Sequence, residues 1–250
     1  MRKSLSRIVT LTKRNFKEIV RDPLSLSFTL LLPLLMEIFF YLIFHQLTEQ
    51  FAMKYLAPGI VVFSQAFLTL FTGLLLSTDR NTAFLTRLYV SPAKSYEFIL
   101  AYCLSVVPIA LAQSMIFFLV GGIFDATLFS IGMLSAVLLS VVTSLFFIGM
   151  GLLLGAISNE KSIGGLSSIV IVGQSVLSGM WFPMQGLSDG MVTLMKILPF
   201  KNATVVLQNV INGIENPIND LVLPLLIVLG YTVVAFVVAI ILFRIKMKEK

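Results

Sequence analysis

Apolar residues run in blocks along this chain, and each block is about as long as a bilayer is thick. Six stretches qualify: Leu24–Phe44, Tyr55–Thr78, Phe98–Phe124, Leu128–Ile157, Ile163–Pro183 and Leu221–Phe243. A helix needs ~20 apolar residues to cross ~30 Å of hydrocarbon, and it must satisfy its own backbone there without water. The pattern predicts an all-α integral membrane protein with six transmembrane helices. The fourth stretch exceeds one crossing and predicts a tilted or broken helix.

Two segments between the blocks have a helical period of their own. In residues 2–21, Leu5, Ile8, Val9, Thr12, Phe16, Ile19 and Val20 recur at spacings of three and four, which places them on one face. Arg2, Lys3, Arg7, Lys13, Arg14, Lys17 and Arg21 take the other. This predicts an amphipathic N-terminal helix lying in the membrane interface. Asp22 and Pro23 then restart the chain as an N-cap and a first helical residue. The second segment is 184–220. Met191, Leu194, Met195, Ile197 and Leu198 form one apolar cluster, Pro199 interrupts it, and Ala203, Val206, Leu207, Val210 and Ile211 form another. Two short exterior helices are expected, interfacial or re-entrant, with Trp181 at the interface. Asn202-Ala203-Thr204 is a glycosylation sequon, which matters only in a eukaryotic secretory pathway.

Composition supports a membrane class. Hydrophobic residues make up 58% and charged residues 12%. A soluble domain of this size could not hide so much apolar surface. The net charge of +6 could suggest nucleic acid, but the basic residues sit at span ends, where anionic lipid is the expected partner and no nucleic acid is needed. With the N-terminus inside, 15 Lys and Arg fall on that side and 3 on the other. The positive-inside rule then predicts that both termini are cytoplasmic. No cleavage site follows the first span, so that span is expected to act as the insertion signal. A single transmembrane domain, 1–250, is expected. Its hydrophilic pieces are 1–23, the loop 79–97 and the exterior segment 184–220.

The chemistry that these residues exclude is as informative. One cysteine, Cys103, forbids an internal disulfide, and one histidine, His45, cannot build a catalytic triad or a zinc site. Gly155 to Ser162 imitates the spacing of a phosphate loop. However, Glu160 stands where its second glycine is needed, and an apolar span precedes it in place of a strand. The chain is therefore expected to be no enzyme and to hold no cofactor or metal. Within the spans, Glu37 is the one carboxylate well inside. Intramembrane acids mark ion or proton sites, or pack as neutral acids against a neighbour. Gln65, Thr69 and Thr72, then Gln113, then Ser167, Gln174 and Ser178, are milder polar positions. They either line a pathway or bond helices together, as Gly151-x-x-x-Gly155 and Ser140/Ser144 do.

The order of parts resembles the permease subunits of type-2 ATP-binding-cassette transporters over nearly the whole chain. The amphipathic segment reads Arg14-Asn15-Phe16-Lys17-Glu18 and Arg21-Asp22-Pro23. The loop after the second span reads Asp79-Arg80-Asn81-Thr82-Ala83-Phe84-Leu85-Thr86-Arg87-Leu88-Tyr89-Val90-Ser91-Pro92. This is similar to the family's D-R-x-x-G-x-L-x-R-L-x-x-S-P stretch, with Ala83 where that pattern has Gly. Tyr55-Leu56-Ala57-Pro58-Gly59, Ser178-Gly179-x-x-Phe182-Pro183 and Leu198-Pro199-Phe200 are also family-like.

The resemblance implies a coupling helix in the loop that docks on a separate nucleotide-binding ATPase subunit, which would bind ATP and magnesium. Asp79, Arg80, Phe84, Leu85, Arg87, Leu88 and Pro92 would be its residues. Phe84, Leu85 and Leu88 can form a short apolar face there, and the arginines can pair with acidic groups on the partner. It further implies two permease copies, identical or not, in a bacterial or archaeal plasma membrane. The expected role is export of an amphipathic or hydrophobic cargo: drug, peptide, lipid or polysaccharide. The alternatives are a channel or ion-coupled carrier that works without ATP and uses Glu37, and a non-transporting scaffold or immunity protein. A tag fused after Lys250 is expected to be shielded from an impermeant reagent in intact cells, and labelling from outside would reverse the topology.

Overall fold

The computed structural model describes residues 2–81, 94–181 and 186–248, and among these it is helical with no strand. Nine α-helices follow in order: α1 (Arg2–Val20), α2 (Pro23–Phe44), α3 (Met53–Asn81), α4 (Ser95–Phe124), α5 (Ile131–Ile157), α6 (Ile163–Leu177), α7 (Asp189–Ile197), α8 (Pro199–Asn212) and α9 (Leu223–Lys248). Helices α2, α3, α4, α5 and α9 are long and apolar enough to cross a bilayer. Helix α3 is the central post, with most of its surface buried.

Helix α6 has only 15 residues, ~22 Å at 1.5 Å per residue. Its neighbours nevertheless place it across most of the bundle. Ile163 at its start lies against Gly73, where a Cβ would stand 2.7 Å from the Ile163 Cδ1. Met180, just past its end, lies against Gly59, with 3.3 Å from such a Cβ to the Met180 Cβ. Gly59 and Gly73 are ~21 Å apart along α3, so this short segment runs beside α3 over that length. It ends earlier than expected: the helix stops at Leu177 and turns at Gly179, whose φ of +73° suits glycine. The fourth expected span starts three residues later than expected and runs to Ile157 as one unbroken helix. Residues 126–128 form a separate 3₁₀ turn, and α5 begins after Ser130, whose Oγ accepts the Met133 N–H at 3.3 Å.

The segment expected to lie outside folds as two short helices bent by 76° at Leu198 and Pro199. Pro199 cannot donate a backbone N–H, so it starts α8 where none is needed. The α8 N-terminus is deep: Phe200 touches Phe146, near the middle of α5, with ring centroids 5.9 Å apart. Its C-terminus returns to the end of the bundle where α3 begins. The pair is therefore re-entrant. The Asn202 Nδ2 bonds the Lys196 carbonyl at 2.8 Å and the Leu198 carbonyl at 2.6 Å, closing the carbonyls that the bend leaves open.

Prolines inside helices create the same need elsewhere. Pro33 of α2 cannot donate to the Thr29 carbonyl one turn back. The buried Gln113 of α4 supplies the donor through its Nε2, at 3.3 Å. Pro58 of α3 leaves the Lys54 carbonyl open, and the Asn212 Nδ2 of α8 fills it at 3.0 Å, beside Gln208 bonding the Tyr55 carbonyl at 2.9 Å.

Helices α3 and α5 meet backbone to backbone. A Cβ on Gly155 would stand 2.7 Å from the Gly73 carbonyl oxygen, and one on Gly151 2.6 Å from that of Thr69. Small residues let the two backbones touch, which is how helices associate where the lipid is as apolar as they are. Gly155→Ala is expected to cost about 1–3 kcal/mol by forcing the backbones apart. Gly165→Ala on α6, which meets nothing within 4 Å, should be neutral or should stabilise by up to about 1 kcal/mol. Thermal denaturation in detergent compares the two.

Candidate functional site

The basic end of the bundle gathers the C-terminus of α3, the N-terminus of α4, the C-terminus of α5 and all of α1. Between α3 and α4 runs the loop expected to couple to a partner. Phe84, Leu85, Arg87, Leu88 and Pro92 lie outside the described residues. The feet of that loop are described, and each is a buried acid. Asp79 is 2% exposed and Glu97 1%.

Both acids are held by α1. The Arg14 guanidinium takes Asp79 in a fork: Nη2 donates to Oδ1 at 2.8 Å and Nη1 donates to Oδ2. The Tyr102 hydroxyl of α4 donates to the same Oδ2. Two-point pairing of this kind fixes direction as well as charge. Seven residues earlier on α1, Arg7 pairs with Glu97 at 3.4 Å and the Ser4 hydroxyl donates to the other Glu97 oxygen. The Lys94 N–H closes the set at 3.2 Å. Positions 7 and 14 lie on one helix face, ~10 Å apart along the axis, so α1 spans the two feet like a bar.

The apolar sector of α1 is divided between protein and surroundings. Ile8, Asn15 and Ile19 are buried against the bundle, while Leu5, Val9, Phe16 and Val20 stay exposed in a neighbouring stripe. Its polar face borders a groove of about 680 Å³ lined by Thr10, Lys13, Arg14, Lys17, Glu18 and Arg21. Arg14 thus differs from the expectation that places it on the solvated face alone. It lies between Asp79 and Glu18, with Glu18 at 2.8 Å. Burial and the nearby Asp79 carboxylate push Glu18 up from its ordinary value.

Arg80 also turns into the protein. Its Nη1 donates to the Gly155 carbonyl at 2.9 Å and to that of Ala156, the last turn of α5. Carbonyls at a helix C-terminus lack intrahelical donors and carry partial negative charge, which a guanidinium satisfies twice over. Adjacent residues at the end of α3 therefore bind different neighbours: Asp79 holds α1 and α4, and Arg80 holds α5.

Gln65, Thr69, Gln113 and Gln174 reach across to neighbouring helices, while the Thr72 and Ser167 hydroxyls have no hydrogen-bond partner among the described residues. Gln65 donates to the Ser140 carbonyl at 2.8 Å and accepts from Thr143 at 2.9 Å. Thr69 donates to the Phe147 carbonyl at 3.0 Å, and Gln174 to the Thr204 hydroxyl at 3.2 Å. Gln113 serves the Thr29 carbonyl. Glu37 is buried with neither oxygen hydrogen-bonded among the described residues. No group of three metal-ligating side chains occurs among those residues either.

Sequence reasoning named Asp79, Arg80 and Arg14 but not the links between them, and it missed Glu97, Arg7, Ser4 and Tyr102 as anchors. One signal was present: two arginines seven apart on α1 match two acids bracketing one loop.

The family model for the membrane domain of ABC-2 type transporters matches residues 6–211. The chain belongs to that family. No curated protein matches it. In this ABC-2 type permease the matched region runs from α1 to the end of α8, so it includes the braced loop and the re-entrant pair. Asp79→Ala is expected to loosen α1 by about 1–3 kcal/mol, because Arg14, one-third exposed, regains water. Tyr102→Phe should cost about 1 kcal/mol. Amide exchange in residues 2–20 measures both, with α3 and α5 unchanged at their cores.

Proposed function

We propose that this ABC-2 membrane domain is the permease half of an ATP-driven exporter. Its energy comes from a separate nucleotide-binding subunit that docks on the loop 82–93. Phe84, Leu85 and Leu88 offer that subunit an apolar face and Arg87 a charge, with Pro92 in the same stretch. The observation that carries this reading is the bracing of both feet of the loop by one helix. A push on the loop cannot be absorbed locally when Asp79, Arg80 and Glu97 tie its ends to α1, α4 and α5. It moves the ends of several helices together, which is what a remote ATPase needs in order to change the shape of a transmembrane route.

In this reading Asp79 and Arg80 transmit the force, and the residues after Asn81 receive it. The basic end, with both termini, faces the cytoplasm, where anionic lipid attracts the exposed Lys13, Lys17 and Arg21. Leu5, Val9, Phe16 and Val20 rest in the acyl boundary. A second permease copy completes the route between the two. The apolar spans favour an amphipathic or hydrophobic cargo that enters from the bilayer. ATP and magnesium bind to the ATPase subunit.

Pull-down of the chain at native expression is expected to recover a soluble ATPase. Arg87→Glu together with Leu88→Asp should abolish that recovery and ATP-dependent export, while the permease still reaches the membrane. Export that persists in the double variant would refute docking at this loop.

A further inference from the structure

Helix α2 touches the bundle along one narrow stripe. Thr29, Pro33 and Glu37, spaced by four, are buried, while Phe28, Leu31, Leu35, Phe39 and Leu42 are exposed. The innermost of the three is the carboxyl. Glu37 has no exposed surface. Its Oε1 lies 3.1 Å from where a Cβ on Gly121 would stand, a point also 3.0 Å from Leu128 and 3.2 Å from Ala57. Glycine at 121 is what lets the carboxyl in.

The surroundings offer it no charge. The ionisable groups at the near ends of the elements packed against it are Lys54, paired with Glu49 at 2.9 Å, and Tyr55 on α3, and Asp125 before the 126–128 turn, bonded to Thr127; Asp79 and Arg80 of α3 and Tyr96, Glu97, Tyr102 and Cys103 of α4 lie towards the opposite end. On α2 itself Tyr41 and His45 lie one and two turns further on, stacked on each other. The described part of α4 that faces Glu37 presents Gly121 and, two turns away, Gln113. None of these hydrogen-bonds Glu37. A bare carboxylate among Ala57, Gly121 and Leu128 would forfeit its hydration with nothing in return, and the cheaper course is to bind a proton.

We propose that Glu37 is a proton site that latches α2 to α3 and α4. The carboxyl is a neutral acid while α2 is seated, and it gives up its proton only when α2 leaves the groove and the carboxylate meets water. The seated form then carries one proton more than the displaced form. By linkage, each unit of rising pH between the two titrations shifts the balance tenfold towards the displaced form. This goes beyond the export reading and does not depend on it, because the latch belongs to the permease alone.

The chain carries its own reporter. Trp181 is its single tryptophan and packs on Phe40 of α2, with ring centroids 4.3 Å apart. In protein reconstituted in vesicles, raising the pH is expected to change Trp181 emission in the wild type and leave E37Q, which mimics the neutral acid, at its low-pH value. Infrared spectra at neutral pH should show a protonated-carboxyl stretch that E37Q lacks. Should E37Q fail to fold, ¹³C-glutamate labelling of the wild type assigns that stretch to a glutamate and carries the same test. A wild type with no such stretch at neutral pH, or an E37Q protein with the wild-type pH response, would overturn the proposal.

Discussion

At the depth of the hydrocarbon no water completes a broken hydrogen-bond ladder, and this one constraint organises the structure. Each place where a helix bends, ends or carries a proline leaves a carbonyl that only the protein can satisfy. The side chains that do so are the same ones that join the helices. Gln113 crosses from α4 to the carbonyl freed by Pro33. Asn212 crosses from α8 to the one freed by Pro58. Arg80 closes the end of α5, and Asn202 closes the bend between α7 and α8. Gln65 and Thr69 bond carbonyls of α5 across the glycine contact. Polar residues that look like a transport route along one helix are, in three dimensions, mostly ties between helices.

The ties are unevenly placed, and that unevenness bears on motion. Helices α3 and α5 are locked by backbone contact at Gly73, Gly151 and Gly155. The basic end is locked by charge, through Arg14 with Asp79 and Arg7 with Glu97. Helix α2 is different. Its hold on the bundle is the Thr29–Pro33–Glu37 stripe with the half-buried Leu26, Leu30 and Leu34 beside it, the Tyr41 hydroxyl on the Phe124 carbonyl, and an aromatic cluster of Phe40, Phe44, Phe51 and Trp181. A rigid centre with a lightly held flank suits a membrane domain whose route opens and closes beside a fixed post.

Much of this was legible in the residues. Six apolar blocks, the basic amphipathic start and the bipartite segment around Pro199 reflect one-dimensional periodicities; each corresponds to helix in the structure, and five of the six blocks give helices long enough to cross a bilayer. Boundaries were less legible. The fourth block begins too early, because Leu128 and Phe129 are as apolar as the helix that starts at Ile131. The fifth extends past Leu177, because a turn of Ser178-Gly179-Met180-Trp181 keeps an apolar character without staying helical. Pairing across the chain was illegible for a different reason. Arg14 and Asp79 are 65 positions apart. Nothing local says that one faces the other, and an amphipathic helix read alone puts every arginine in water. Gln113 was visible as a polar residue in a span, and Pro33 as a helix breaker. Only their juxtaposition shows that one answers the other.

The central claim is that Gln113 is buried in this bundle to satisfy the Thr29 carbonyl that Pro33 frees on α2. A double-mutant cycle at Pro33 and Gln113, read by thermal stability in detergent, tests it most directly. In the presence of Pro33, Gln113→Leu should cost about 1–3 kcal/mol by stranding the Thr29 carbonyl. With Pro33→Ala the helix recovers its own N–H donor, and most of that cost should vanish, leaving a coupling of about 1 kcal/mol or more. Equal costs of Gln113→Leu in the two backgrounds would contradict the claim.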